Sequence, residues 1–210
     1  EDVGQHLREH DAQIGIAHND TGTMNPFGYD SDMGMQSLVY EPLVELNDEG
    51  DVEPWLAEEW EFDDDHKTII FTLRDGVTFS DGSPLNAEAV KASVDAVFAN
   101  KERHAWLPLV EKLEDIEVID DMTVAYHFEE VYPFALLELS MVRPMRIMSP
   151  NGLDGTEFVE PIGTGPFTLT DYVVDESTTF VRNDDYWGDK PQINTLNIKI
   201  VPDSNTRLQA

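Results

Sequence analysis

Alternation of apolar and polar residues through AQIGIAH, residues 12–18, predicts an opening strand. A loop rich in turn formers follows, TGTMNPFGYDSDMGM. The apolar segment QSLVYEPLVEL at 36–46 then predicts a helical start, and NDEGD a turn. From Trp60 onward the pattern is a β-meander: EWEF, a DDDH turn, the strand TIIFTLR, a tight turn at Asp75–Gly76, a short strand VTF and a turn SDGSP. Asn86 is placed as a helix N-cap with Glu88 in the first turn. Val90, Val94, Val97 and Phe98 fall at i, i+4, i+7 and i+8, one apolar stripe of that helix. A strand at IEVI and a turn at DD lead into MTVAYHF, where Met122, Val124, Tyr126 and Phe128 share a face. YPFALLEL predicts a short helix with Pro133 at its start, and MVRPMRIMSP at 141–150 an extended segment. PIGTGPFTLTDYV, TTFVRN and QINTLNIKIV read as closing strands. Ser204 then caps a helix of about six residues. Isolated helices need roughly 12–15 residues, so the chain is expected to be a piece of a longer protein.

Composition changes the picture through charge. The 210 residues include 43 acids against 13 bases, a net charge of −30. The acids are interleaved with apolar strands rather than gathered in a tail, and 40% hydrophobic residues support a packed core. Such self-repulsion is relieved by salt, since the Debye length at 1 M is only about 3 Å. The acidity therefore reads as adaptation to a saline solvent, a halophilic trait. The other reading is an acidic surface for a cationic partner. Nucleic acid is excluded as a partner, because no basic stripe exists to neutralise phosphates.

With no cysteine, disulfides, thiol catalysis and cysteine-based zinc sites are ruled out. There is no G-x-S-x-G, no H-E-x-x-H and no EF-hand spacing. GTGP at 163–166 lacks the Lys-Ser/Thr of a phosphate loop and reads as a tight turn entering a strand. Carboxylate pairs are everywhere in so acidic a chain and single out no general acid or base. An enzyme is left without a supporting constellation. His6 and His10 stand at i,i+4, a metal-gripping spacing, but on a polar terminus where fraying is the simpler reading.

The scarce cations are more informative. Arg143 sits among methionines in MVRPMRIM, with Pro144 fixing the backbone beside it. A planar guanidinium there suits bidentate capture of a carboxylate, or an internal ion pair with one of the many acids. KERHAWLPLV, just beyond the Asn86 helix, packs Arg103, His104 and Trp106 into four positions. That is either a ligand-binding corner or a helix end with its tryptophan in the core.

The run VYEPLVELNDEGDVEPWLAEEWEFDDDHKTIIFTLRDGVTFSDGSPLNAEAV resembles the signature of the peptide/nickel class, family 5, of extracytoplasmic solute-binding proteins that feed ABC importers. PIGTGPF and NDDYWGDKP match the same family, and the resemblance covers residues 12–210. RHAWL, YPFALLELSMVRPMR and PIGTGP together resemble the nickel-binding members most. With the acidity, this sets the expectation of a haloarchaeal source.

The resemblance implies an α/β type II periplasmic-binding-protein fold, of which this chain holds the N-terminal part only. Residues 1–49 and 161–210 would build the first sheet domain of lobe I, and residues 50–160 an inserted α/β subdomain. The second lobe, with any direct nickel ligand, would follow Ala210, so this chain alone would bind ligand weakly or not at all. The implied function is capture of a nickel chelate with a small carboxylate- or histidine-type metallophore, without catalysis or cofactor; the alternative is a dipeptide or oligopeptide. The implied partner is an ABC transporter permease, and the implied location is extracytoplasmic, with any membrane association through a lipid anchor outside this chain. Carried over by motif, the ligand-binding residues are Trp106 against the chelate, Arg143 on a chelator carboxylate, Arg103 as a second carboxylate partner, and Met33 at the pocket border. Because the loop from Asn25 to Gln36 is one residue shorter than the family pattern, Met35 competes with Met33 for the last role.

Overall fold

A computed structural model describes residues 10–16, as backbone, and residues 21–201. His6, the side chain of His10, residues 17–18 of the expected first strand and the helix expected at Ser204 lie outside it.

Strand β1 (His10–Ile16) begins two residues earlier than its alternation implies. Helix α1 (Met33–Val39) also starts early, three residues before the apolar segment, because Asp32 caps it: its carboxylate accepts from the Met35 N–H at 3.0 Å. A hairpin of β2 (Val44–Leu46) and β3 (Val52–Pro54) precedes β4 (Ala57–Phe62) and β5 (Thr68–Leu73). The expected strand VTF is instead a single bridge, Thr78 to Pro84, between tight turns.

Helix α2 (Ala87–Ala99) is capped as its sequence requires, the Asn86 side chain accepting from the Ala89 N–H at 2.9 Å. Val90, Val94 and Val97 are buried and Phe98 packs partly buried against the same core. After α2 come a 3₁₀ turn at Lys101–His104, α3 (Pro108–Lys112), β6 (Leu113–Asp120), β7 (Thr123–Phe128) and α4 (Ala135–Leu139). A two-residue hairpin, β8 (Leu153–Asp154) with β9 (Glu157–Phe158), leads to β10 (Phe167–Val173), β11 (Ser177–Arg182) and β12 (Ile193–Ile200).

Two four-stranded sheets organise these elements. One has the order β1-β12-β11-β10, in which β1 runs parallel to β12 and the other pairs are antiparallel. The other, β4-β5-β7-β6, is antiparallel throughout, with α2 against β6 and β7. Period-2 patterning is clearest in β5, whose Ile69, Phe71 and Leu73 are buried while Thr68, Ile70 and Thr72 are not.

One buried carboxylate joins segments far apart in sequence. Glu41, 4% exposed, follows α1 and accepts four hydrogen bonds. Its Oε1 receives Trp55 Nε1–H at 2.9 Å and the Tyr186 hydroxyl at 2.7 Å. Its Oε2 receives the Thr164 hydroxyl at 2.7 Å and Trp187 Nε1–H at 2.9 Å. The motifs YEPL, PWLA, GTGP and DYWG thus meet at one point. GTGP carries its glycines for a steric reason. A Cβ at Gly163 would fall inside the Val39 carbonyl, and one at Gly165 would lie 2.5 Å from the Leu38 oxygen. That close approach lets Gly165 N–H bond Val39 O at 2.9 Å and lock the end of α1 to the start of β10.

The segment after α4 is threaded through this junction. Ile147 N–H donates to Glu41 O and Ser149 N–H to Ile162 O, while Met148 N–H donates to the buried Ser93 hydroxyl on α2. Residues 141–145 are thereby held in bends rather than the expected extended course, with a cis Arg143–Pro144 peptide.

Candidate functional site

Three segments converge: the start of α1, the turn after α2 and the bends after α4. From them come Met33, Trp106 and Arg143, which line a recess of about 620 Å³. A second hollow of about 640 Å³, bordered by Tyr29, Ser31 and Asp32, shares Met33 and Arg143 with it. The first volume lies in the ~300–1,000 Å³ range of small-molecule sites.

Trp106 is 50% exposed, so it is no core residue, and the apolar face of α2 is filled without it. Met33 projects into the recess at 49% exposure, whereas Met35 packs partly buried against the core. Arg143 has no carboxylate partner among the described residues. Its Nη1 donates to Ser31 O at 3.1 Å and lies 3.5 Å from Gly28 O, and its guanidinium carbon sits 4.8 Å from the centre of the Tyr29 ring. Arg103 stands apart: exposed, 5.9 Å from the same ring centre, and outside both hollows.

Tyr29 was not foreseen, and it connects the others. Its hydroxyl accepts the indole N–H of Trp106 and contacts His104 Nδ1 at 2.7 Å. The Tyr29–His104 bond occupies Nδ1, with the donor set by the imidazole tautomer, and leaves Nε2 as the other ring nitrogen. That Nε2 is buried without a hydrogen-bond partner among the described residues. His104 is fully buried and lines neither hollow. The one legible signal of Tyr29 in the sequence is an aromatic in a Gly- and Asp-rich loop.

Burial, and secondarily the Arg103 charge, hold the His104 pKa below its ordinary 6.5. The neutral form is therefore favoured by folding. The unfolded chain takes up the proton first as pH drops through about 6.5, so stability is complete above that value and declines below it. An NMR titration should place the His104 imidazole below 6.5, and the urea midpoint should fall between pH 7.5 and 5.5 more steeply than in His104→Gln.

The recess has a second guanidinium at its floor. Arg146, 9% exposed, donates from Nε to Val142 O at 2.9 Å and from Nη1 to Tyr40 O at 3.4 Å. Burial pulls its pKa down to about 10, against the opposing pull of Glu41 and Glu45. The Glu45 pKa is raised by burial and by the Glu41 charge, against the pull of Arg146. Arg182, by contrast, pairs with Asp184 at 2.8 Å away from the recess. Among the described residues, no group of three His, Cys, Asp or Glu is arranged to hold a metal, and no helix is long and apolar enough to cross a membrane.

Residues 51–210 match the family described as bacterial extracellular solute-binding proteins, family 5 Middle. The chain is 40% identical over 194 residues to the nickel-binding periplasmic protein of Escherichia coli, covering 90% of this chain and 37% of that protein. It is 31% identical over 198 residues to the Escherichia coli dipeptide-binding protein, covering 80% and 36%. The crystal structure of NikA from Brucella suis in complex with Fe(III)-EDTA superposes with a TM-score of 0.91 at 40% identity, covering 95% of this chain and 41% of that one. The chain thus spans about two fifths of these relatives, their N-terminal part, with the mixed α/β fold of periplasmic binding proteins. The relatives are solute-binding proteins of ABC transporters, not enzymes, and carry no cofactor. On the match across residues 51–210, the chain belongs to the family 5 extracellular solute-binding proteins.

Proposed function

We propose that the protein is the extracytoplasmic binding component of an ABC importer that captures a nickel chelate, with this chain forming one wall of the ligand cleft. The observation that carries this reading is Arg143: a half-buried guanidinium with no acidic partner among the described residues, beside the exposed indole of Trp106, in a chain of net charge −30. Such a cation is matched to a carboxylate-bearing ligand, and the indole face to a flat complex. Met33 closes the border, and Arg103 meets a carboxylate that reaches past Tyr29. A metal would arrive already chelated, as cargo. The 40% identity to a nickel-binding protein supports this reading, and the 31% identity to a dipeptide-binding protein supports peptide as the second. In the same proposal, residues 1–49 and 161–210 form one sheet domain of the lobe and residues 50–160 a subdomain inserted in it. A membrane permease is the partner.

Calorimetry on the intact protein, with Ni²⁺ plus histidine, Ni²⁺ alone and a dipeptide mixture, tests the ligand. Heat from the dipeptides only would sink the nickel reading. Trp106→Ala is expected to abolish the ligand-induced fluorescence change while leaving the circular dichroism spectrum intact; an unfolded variant would show that the indole serves the fold.

The charge is part of the proposal too. Without screening, the −30 chain repels itself, so secondary structure should be lost on dilution from molar salt. A spectrum indifferent to salt would count against halophilic adaptation.

A further inference from the structure

The recess floored by Arg146 extends beyond what an anion at Arg143 requires. Its walls are Leu46, Leu137, Met141 and Val142. Leu46, Leu137 and Met141 are each about two-fifths exposed around this one hollow, in a chain otherwise crowded with carboxylates. Arg146 lies nine-tenths buried at its floor and spends two of its five N–H donors on protein oxygens. Those contacts do not make it an anion receptor, because Glu41 and Glu45 both act on its charge. A charged ligand group laid against Leu46, Leu137 and Met141 would give up its hydration for no partner. An apolar group would cover the exposed leucines and methionine without that cost.

We propose that this recess is a specificity subsite for an uncharged apolar arm of the ligand, such as a benzyl or branched alkyl group, with the remaining Arg146 N–H groups available to a neutral acceptor. The inference rests on the reading above, in which Arg143 and Trp106 hold the ligand's carboxylate-bearing part. It narrows the ligand class from any small chelate or peptide to one with a hydrophobic side arm.

The test is calorimetry on the intact protein in molar salt with two matched pairs. The Ni²⁺ complexes of iminodiacetate and N-benzyliminodiacetate share metal and carboxylates and differ by one benzyl arm. Glycylglycine and glycylphenylalanine form the metal-free pair. In whichever pair binds, the arm-bearing member should bind about ten- to a hundredfold tighter, the gain expected for burying one aromatic group. Leu137→Gln combined with Met141→Gln should reduce that preference to about twofold. Both side chains are exposed, and the comparison within each pair already stands in the wild-type protein without any variant. Equal affinities within a binding pair, or a preference that survives both substitutions, would overturn the subsite and leave the importer function standing. Failure of both pairs to bind would overturn the two together.

Discussion

Replacing Glu41 with alanine is expected to remove about 2–6 kcal/mol of stability, since two indole donors would be left without a partner at about 1–3 kcal/mol each. Four donors converge on this carboxylate: two indole N–H groups and two hydroxyls. The hydroxyls can turn to other acceptors, but the indoles of Trp55 and Trp187 cannot. With folded domains holding only about 5–15 kcal/mol in total, the variant should be largely unfolded at modest denaturant. Glutamine is not a mild substitute. One indole bonds each carboxylate oxygen, so whichever way the amide is turned, its NH₂ faces an indole N–H. Glu41→Gln should therefore also lose stability, by roughly 2 kcal/mol. Denaturant titration at fixed molar salt measures both, and a change under about 1 kcal/mol for the alanine variant would refute the role assigned to Glu41.

The second large effect is on binding. Arg143→Lys keeps the charge but loses the planar fork, and it is expected to weaken Ni²⁺–histidine binding about a hundredfold, equivalent to some 2.7 kcal/mol. Lysine also cannot reproduce the guanidinium lying 4.8 Å from the Tyr29 ring centre while its Nη1 donates to Ser31 O. Part of the loss should therefore appear as a looser Tyr29 and an altered Trp106 emission before any ligand is added. Calorimetry reads the first quantity and fluorescence of the free protein the second. Undiminished affinity in the lysine variant would show that charge alone, not the fork, meets the ligand.

Local rules made much of the fold legible. The Asn86 cap and valine stripe of α2, and the alternation in β5, involve neighbours in sequence, and both stand as their patterns require. Errors came at boundaries. The Asp32 cap moved the start of α1, and VTF forms a single bridge rather than a strand. For the site, motif resemblance drew attention to Trp106, Arg143 and Met33, which line one recess, and to Arg103, which does not. Tyr29 and Glu41 escaped for a common reason. Tyr29 lies 75 residues from His104, and the Glu41 contacts span up to 146 residues. No periodicity reports contacts of that range. Among 43 acids, one carboxylate with a special role carries no mark of its own. Arg146 was visible in MVRPMRIM, but nothing in that string shows that it would be nine-tenths buried beneath an apolar hollow.

The carboxylate junction and the recess occupy different classes of residue. Glu41 clamps the end of α1, the approach to β4 and the two ends of the β10–β11 hairpin, while the side chains lining the recess near Trp106 come from short helices, bends and the short strand β2. Apart from Glu45 and Arg146, whose charges act on Glu41, substitutions that retune the lining leave the clamp untouched, and the two can drift at separate rates. A lineage could exchange one cargo for another through a handful of surface replacements, with no intermediate that fails to fold. The scaffold is in that sense a reusable chassis, and the recess is its interchangeable fitting.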